Sequence, residues 1–286
     1  MTPAHVVEIA TPKGVLLNGL WFGPKRVKRV VIWVHGLSST VFSKHELTTL
    51  LTDSSTAILM FNNRGHDKVS RIQKTNGRRI RGGAAHEVFT DCVDDIDGAV
   101  RFAKKQSKTV FLAGHSTGCQ KAVYWTHRRK TGVAGVILLA PVSDYAATVM
   151  LDGKAAMKKA NSHARTLIHT GRKHELLPEN VWSWSLLADA QRYVSLYSGS
   201  SAEEVFPYWD KKRKPKTLRS VKRPLLVLLA EKDEYADRPA QELYDWFLSH
   251  IHEGEVVIIP KVEHSFKGGE KTVARYIGEF MKEAGR

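Results

Sequence analysis

A serine flanked by two glycines stands between an apolar run and a helical pattern. The sequence GHSTG at residues 114–118 follows VFLA and precedes TGCQKAVYWTHRR. This G-x-S-x-G form, in a strand–turn–helix context, predicts a sharp turn that exposes the Ser116 hydroxyl at the positive end of the following helix. Glycines are expected because such a turn leaves little room for side chains two positions before and after the serine. Ser116 is therefore the candidate nucleophile.

A serine hydroxyl needs a general base to become a good nucleophile, and the base needs an acid that orients it. With a nucleophile in this kind of turn, the acid and then a histidine are expected later in the chain. His264 follows the last apolar run, in VVIIPKVEHSF, and is the predicted base; the other histidines are interpreted as loop or surface residues. Asp233, shortly after PLLVLLA, is the predicted acid. Asp144 in APVSD and Asp237 are the alternatives.

An oxyanion formed on a substrate needs two preorganised donors, usually backbone N–H groups. The N–H of Thr117, directly after the nucleophile, is the first predicted donor. The second is the N–H of Leu37, in the HGL sequence that follows the apolar run VVIWV. The alternative interpretation is that His-Gly only ends a strand. A further loop at residues 62–67 is interpreted as a turn held by Asn and Asp side chains, with anion binding by Arg64 as the alternative.

Short apolar runs and one amphipathic pattern predict the elements that position these residues. Six runs rich in Val, Ile and Leu predict buried parallel strands at residues 30–36, 57–65, 109–116, 133–141, 224–233 and 255–264. Helical spacing is clearest over residues 86–104, whose aspartates are expected to face mostly away from the apolar side. Alternating strands and helices predict a single doubly wound α/β domain over residues 1–286, with ligands at the carboxyl ends of the strands.

Residues 142–223 interrupt this alternation, because they contain no strong strand pattern. They are predicted to form a helical cap inserted in the domain. The insertion is rich in aromatic side chains, which either pack it onto the core or form a lid that lines an acyl or aromatic pocket. These residues are Trp182, Trp184, Tyr193, Tyr197, Phe206, Tyr208 and Trp209.

Composition excludes several classes of protein. The 286 residues are 42% hydrophobic and 26% charged, which is typical of a globular chain. Cys92 and Cys119 are the two cysteines, too few for a disulfide framework or a clustered zinc site, and no metal or other cofactor is predicted. The N-terminal residues lack the apolar stretch of a signal peptide, and no run approaches the roughly 18 apolar residues of a membrane span. A cytoplasmic protein without a membrane partner is expected.

The charge is strongly basic. There are 44 Lys and Arg residues against 29 Asp and Glu residues, for a formal net charge of +15. The basic residues cluster at 24–29, 78–81, 127–130 and 211–216, without a recognisable nucleic-acid-binding module. We interpret them as a solvated surface and do not expect a nucleic-acid partner; specific nucleic-acid binding is the alternative.

The candidate site residues lie in segments that resemble α/β-hydrolases. GHSTGCQKAVYW and GVILLAPVSD, with HELLPEN, QRYVSLYSG and LLVLLAEKDEYAD, resemble the domain-of-unknown-function 1749 group, which includes fungal esterases of fusarinine-type siderophores. FNNRGHD and GGAAHEVFTDCVDDID look more like bacterial members. The resemblance spans most of the chain and implies an α/β-hydrolase fold, with Ser116, Asp233 and His264 as a catalytic triad.

The predicted activity is hydrolysis of a small-molecule carboxylic ester through an acyl-enzyme on Ser116. A thioesterase, an amidase or an acyltransferase would use the same nucleophile on the same fold. A binding protein that kept the fold without turnover, and that used its basic surface, belongs to a different class. The complete set of serine, acid and histidine favours the enzyme.

Overall fold

An eight-stranded sheet forms the centre of the molecule. A computed structural model of the chain describes residues 3–181 and 187–285. The inner strands are buried along nearly their whole length, because helices cover both faces of the sheet; this explains their continuous apolar sequences. In spatial order the strands are β1 (Ala4–Ala10), β2 (Leu16–Phe22), β4 (Thr56–Phe61), β3 (Arg29–Val34), β7 (Thr109–His115), β8 (Gly135–Leu139), β9 (Leu225–Ala230) and β10 (Gly254–Ile259).

The six predicted apolar runs are the six parallel strands, from β4 to β10 in spatial order. β1 and β2 were not predicted; they pair antiparallel with each other, and β2 pairs antiparallel with β4. A separate hairpin of β5 (Ser70–Gln73) and β6 (Arg79–Gly82) was also not predicted. The parallel strands end a few residues earlier than their apolar runs suggest, so the candidate site residues lie in the loops that follow. The predicted α/β fold class is confirmed.

Helices cover the sheet on both sides. α2, α3 and α8 contribute to one apolar cluster, and α1 and α9 contribute to the cluster on the opposite face. The helices are α1 (His45–Leu51), α2 (Cys92–Lys104), α3 (Thr117–Arg129), α4 (Asp144–Asp152), α5 (Lys154–His169), α6 (Ala190–Tyr197), α7 (Lys216–Arg219), α8 (Ala240–Leu248) and α9 (Glu270–Glu283). Within residues 3–181 and 187–285, none of the helices is both long and apolar enough to cross a membrane.

The helix predicted over residues 86–104 begins later than expected, at Cys92, after a short 3₁₀ turn over Phe89–Asp91. Its apolar side is buried as predicted. Two of its aspartates, Asp94 and Asp95, are also buried, contrary to the expectation that the acids face mostly away. Both carboxylates pair with the buried Arg64. This explains their burial, because a carboxylate removed from water needs a compensating charge.

Helices α4 to α7 lie between β8 and β9, within residues 142–223, the segment that the sequence predicts as an insertion. α5 and α6 pack together through Met157, Ala160, Tyr193 and Leu196, in a third apolar cluster that also includes Ala84. Among the predicted aromatic residues, Phe206 and Tyr208 are buried in the main core and Trp209 packs at its edge. Tyr193 and Tyr197 are buried within the third cluster. Trp182 and Trp184 lie outside the described residues.

Candidate active site

Ser116 occupies a strained turn between β7 and α3. Its backbone has φ 56° and ψ −128°, a region that residues with a side chain rarely adopt. The turn is held by two hydrogen bonds: Ser116 N–H donates to Leu139 O at 3.0 Å, and Cys119 N–H donates to Ser116 O at 2.8 Å. Such strain persists only where the surroundings impose it, and it is typical of functional sites.

The two glycines of GHSTG are required by close backbone contacts. A Cβ added to Gly114 would overlap the backbone of Gly118, and a Cβ added to Gly118 would overlap the carbonyl of Val34. The chain therefore closes on itself around Ser116 and also touches the end of β3. Both positions lack space for a side chain, as the sequence predicted.

His264 lies in the loop after β10, with its ring against Asp233 in the loop after β9. Its Nδ1 is 2.9 Å from both carboxylate oxygens of Asp233. Asp233 Oδ1 also accepts the N–H of Tyr235 at 3.0 Å, and the ring of Tyr235 packs edge-on against His264 with centroids 4.8 Å apart. The carboxylate and the aromatic neighbour together fix the orientation of the imidazole. His264 is itself 92% buried, with 8% of its surface exposed.

Hydrogen bonds also hold the backbone N–H and the backbone carbonyl of His264. Its N–H donates to Glu234 Oε2 at 2.9 Å. Its carbonyl accepts a hydrogen bond from His115 Nε2 at 2.9 Å. Burial, aided by nearby Lys44, lowers the pKa of His115 well below its usual value, so this ring is neutral. Sequence reasoning missed both Glu234 and His115, although each directly adjoins a predicted site residue.

The two alternative acids have other partners. Asp237 forms an ion pair with Arg238, with Nε–Oδ1 at 2.9 Å. Asp144 accepts a hydrogen bond from Gln120 Nε2 at 2.8 Å, on the first turn of α4. The structure thus places Asp233, and neither alternative, against the ring of His264.

The loop after β3 approaches Ser116 closely. A Cβ on Gly36 would lie 2.9 Å from Ser116 Cβ. Burial, and then the charge of Lys121, lower the pKa of His35 to about 3, so its ring is neutral. The Nε2 of His35 accepts the N–H of Asn63 at 3.3 Å, which assigns the proton to Nδ1; this Nδ1–H donates to Gly36 O at 2.8 Å. Through these two hydrogen bonds His35 holds the loop after β3 in position.

The interpretation of the other histidines as loop or surface residues is therefore wrong for His35 and His115. His35 is 99% buried, with 1% of its surface exposed, at the end of β3. His115 is the last residue of β7 and lies in the wall of the site. Sequence patterns do not distinguish such rings from surface histidines, because each ring has a partner that only the fold brings near: the N–H of Asn63 for His35 and the carbonyl of His264 for His115.

A cavity of about 450 Å³ contains both Ser116 and His264 in its wall. Leu37 lines it on the side of the β3 loop, and Thr148 of α4 lines it on the side of the insertion. Thr117 is the first residue of α3, where a backbone N–H has no acceptor within the helix. Of the insertion's described aromatic residues, Tyr197 reaches this cavity.

Arg64 is not directed to this cavity. Its guanidinium pairs with Asp91 at 3.0 Å, with Asp95 at 2.7 Å and with Asp94. Asn63 Oδ1 accepts the N–H of Gly65 at 2.9 Å, which gives the predicted turn stabilised by an Asn side chain. Among residues 3–181 and 187–285, no group of three His, Cys, Asp or Glu side chains has an arrangement that could hold a metal ion.

Solved structures of similar fold cover nearly the whole chain. The siderophore hydrolase EstB from Aspergillus fumigatus has a TM-score of 0.73 at 16% identity, with 99% of this chain and 98% of that chain covered. The α/β hydrolase GrgF from Penicillium sp. sh18 has a TM-score of 0.70 at 16% identity, with 99% of each chain covered. The esterase Pf2001 from Pyrococcus furiosus has a TM-score of 0.63 at 19% identity, with 99% and 91% covered. At these identities the likeness establishes the α/β-hydrolase fold.

No curated protein gives a significant sequence match. The sequence profile of the family described as "Protein of unknown function (DUF1749)" matches residues 85–279, which is more than half of the chain and includes Ser116, Asp233 and His264. The chain therefore belongs to the DUF1749 family, as its sequence motifs predicted.

Proposed function

We propose that the protein is a serine hydrolase that cleaves carboxylic esters through an acyl-enzyme on Ser116. The observation that carries this proposal is the position of His264: its Nδ1 is 2.9 Å from Asp233, and its ring shares a cavity wall with the strained Ser116. A nucleophile, a base and an acid that orients the base are the elements of this chemistry. The esterase and hydrolase names of structurally similar proteins support the same reaction class.

In the acylation step, Nδ1–H of His264 donates to Asp233, which leaves Nε2 free to accept the proton of the Ser116 hydroxyl. Ser116 Oγ then attacks the ester carbonyl carbon, and the carbonyl oxygen becomes an oxyanion. The N–H groups of Leu37 and Thr117 stabilise this oxyanion. His264 returns the proton to the leaving alcohol oxygen as the C–O bond breaks.

Water completes the reaction. It loses a proton to His264 Nε2 and attacks the acyl carbon, and the second oxyanion uses the same two backbone donors. Collapse releases the carboxylic acid, and the proton returns to Ser116. Asp233 accepts the Nδ1–H of His264 in both steps and stabilises the imidazolium that forms.

A fluorophosphonate probe tests this proposal. The probe should label the wild-type protein at Ser116, and mass mapping should locate the adduct. Ser116→Ala should lose both the label and the hydrolysis of p-nitrophenyl butanoate. Ser249→Ala, which changes an exposed serine after α8, serves as the matched control and should keep both. Labelling at another residue, or full hydrolysis by Ser116→Ala, would show that the proposal is wrong.

A further inference from the structure

The first two turns of α4 present two polar side chains to the candidate active-site cavity. Asp144 and Thr148 are four residues apart on this helix, so they lie on the same face. Both line the cavity that contains Ser116. The residues between and beside them, Val142 and Ala147, give this part of the wall an apolar surface. The two polar groups are therefore local exceptions in an apolar wall.

The hydroxyl of Thr148 is buried without a partner. The side chain belongs to a residue with 1% of its surface exposed, and its Oγ1 has no hydrogen bond among the described residues. A threonine in a helix usually bonds a backbone carbonyl one turn earlier when it is buried, as Thr126 does with Ala122 O at 2.8 Å. An unpaired buried hydroxyl lowers stability, so its presence on a cavity wall calls for an explanation.

Asp144 supplies a second group to the same wall. Its Oδ2 accepts a hydrogen bond from Gln120 Nε2 of α3, which fixes the carboxyl. Burial raises the pKa of Asp144 well above its usual range, and the neighbouring carboxyls of Glu203 and Glu204 raise it further.

Two cations, Arg192 of α6 and Lys121 of α3, lower the pKa of Asp144 without reversing the shift. Burial therefore favours the protonated, uncharged form of this carboxyl. Such a group can donate one hydrogen bond and accept others.

We propose that Asp144 and Thr148 form a subsite that binds a hydroxyl group carried by the substrate. A hydroxyl both donates and accepts, so it can bond a carboxyl group in either protonation state together with a threonine hydroxyl. An anionic group fits this pair poorly, since neither Asp144 nor Thr148 carries a positive charge and the side chains beside them, Val142 and Ala147, are apolar. The inference rests on the proposed ester hydrolysis and specifies its substrate class: esters with a hydroxyl substituent on the acyl or the alcohol part.

Two matched ester pairs test the subsite. p-Nitrophenyl 3-hydroxybutanoate is compared with p-nitrophenyl butanoate for the acyl part, and 3-hydroxybutyl butanoate with butyl butanoate for the alcohol part. The wild type should prefer the hydroxylated member of at least one pair by about tenfold or more in kcat/KM, the ratio expected for one satisfied hydrogen bond. In Thr148→Val this preference should disappear, and in Thr148→Ser it should remain.

Thr126→Val is the control, because Thr126 is an equally buried helical threonine that does not line the cavity. It should keep the wild-type preference. Thermal unfolding gives a second readout: Thr148→Val should be at least as stable as the wild type, since it removes an unpaired hydroxyl, whereas Thr126→Val should be less stable. Equal rates within both pairs for the wild type, or a preference that survives Thr148→Val, would overturn the subsite and leave ester hydrolysis intact. If none of the four esters is hydrolysed, the proposed function fails and the subsite fails with it.

Discussion

The neighbours of His264 have separate tasks. Asp233 acts on the ring and selects the tautomer with the proton on Nδ1. Glu234 and His115 hold the backbone N–H and the carbonyl of the same residue. Loss of the ring partner should therefore impair proton transfer while the backbone contacts keep the loop in place.

Asp233→Asn is expected to reduce kcat by up to about 10⁴-fold, with the fold retained. The amide cannot stabilise an imidazolium, and it favours the wrong tautomer of His264. Steady-state hydrolysis of p-nitrophenyl butanoate measures the loss, and circular dichroism checks the fold. Asp144→Asn, at the alternative acid, is the comparison and should retain most of the activity towards this ester, which has no hydroxyl. A collapse in Asp144→Asn with a mild effect of Asp233→Asn would reverse the assignment.

A buried network of charged side chains joins α6 to α3, one of the helices that cover the sheet. Lys121 of α3 pairs with Glu87 at 2.6 Å, and Arg192 of α6 pairs with Glu87 at 2.9 Å and with Glu203 at 2.6 Å. Burial alone would raise the pKa of Glu87, but Lys121 and Arg192 together outweigh it and lower the pKa. The network therefore fixes α6 to the core of the domain.

Arg192→Met should destabilise the protein by about 3–5 kcal/mol, because it leaves two buried carboxylates with insufficient positive charge. Urea unfolding followed by fluorescence measures the free energy of unfolding. Arg172→Met is the matched control: Arg172 pairs with Glu175 at 2.6 Å, but both side chains are largely exposed, so the loss should stay below about 1 kcal/mol. Equal losses in the two variants would mean that the buried network does not anchor α6.

The sequence predicted elements whose signal is local. The six parallel strands are continuous apolar runs, and Ser116 belongs to a motif with fixed spacing. β1 was missed because its side chains are mostly exposed, and the β5–β6 hairpin because its residues are largely basic and polar. Edge and surface strands carry only a weak apolar pattern.

Within the site, chain order indicated His264 as the base and Asp233 as the acid, with Asp144 and Asp237 left as alternatives. The contacts of His115 and His35 were not predictable, because each joins residues that are distant in sequence: His115 bonds the carbonyl of His264, and His35 bonds Asn63. The unpaired hydroxyl of Thr148 could not be seen either, since threonine is equally compatible with a satisfied position in the same helix.

The stability of the whole molecule should depend on pH through its buried carboxyls. Burial raises the pKa of Glu204 from 4.5 to about 7, although Ser143 and Trp209 donate hydrogen bonds to it. The folded state therefore holds this proton more tightly than the unfolded chain does. The stabilisation of the fold by protonated Glu204 is fully present below about pH 4.5 and is lost as the pH rises through about 7.

Glu204→Gln should remove this contribution. The Gln side-chain oxygen can still accept the bonds from Ser143 and Trp209, both of which reach Oε1, so packing and hydrogen bonding are preserved. A shift of this size corresponds to about 3 kcal/mol. The difference in unfolding free energy between wild type and variant should change by that amount between pH 4.5 and pH 8, in favour of the variant at the higher pH.

Taking the difference between wild type and variant cancels the contributions of the other titrating groups, including Asp95, whose pKa burial raises to about 6. Glu8→Gln, on the exposed side of β1, is the control and should leave the wild-type pH dependence unchanged. A constant difference across this range for Glu204→Gln would mean that folding does not raise the pKa of Glu204.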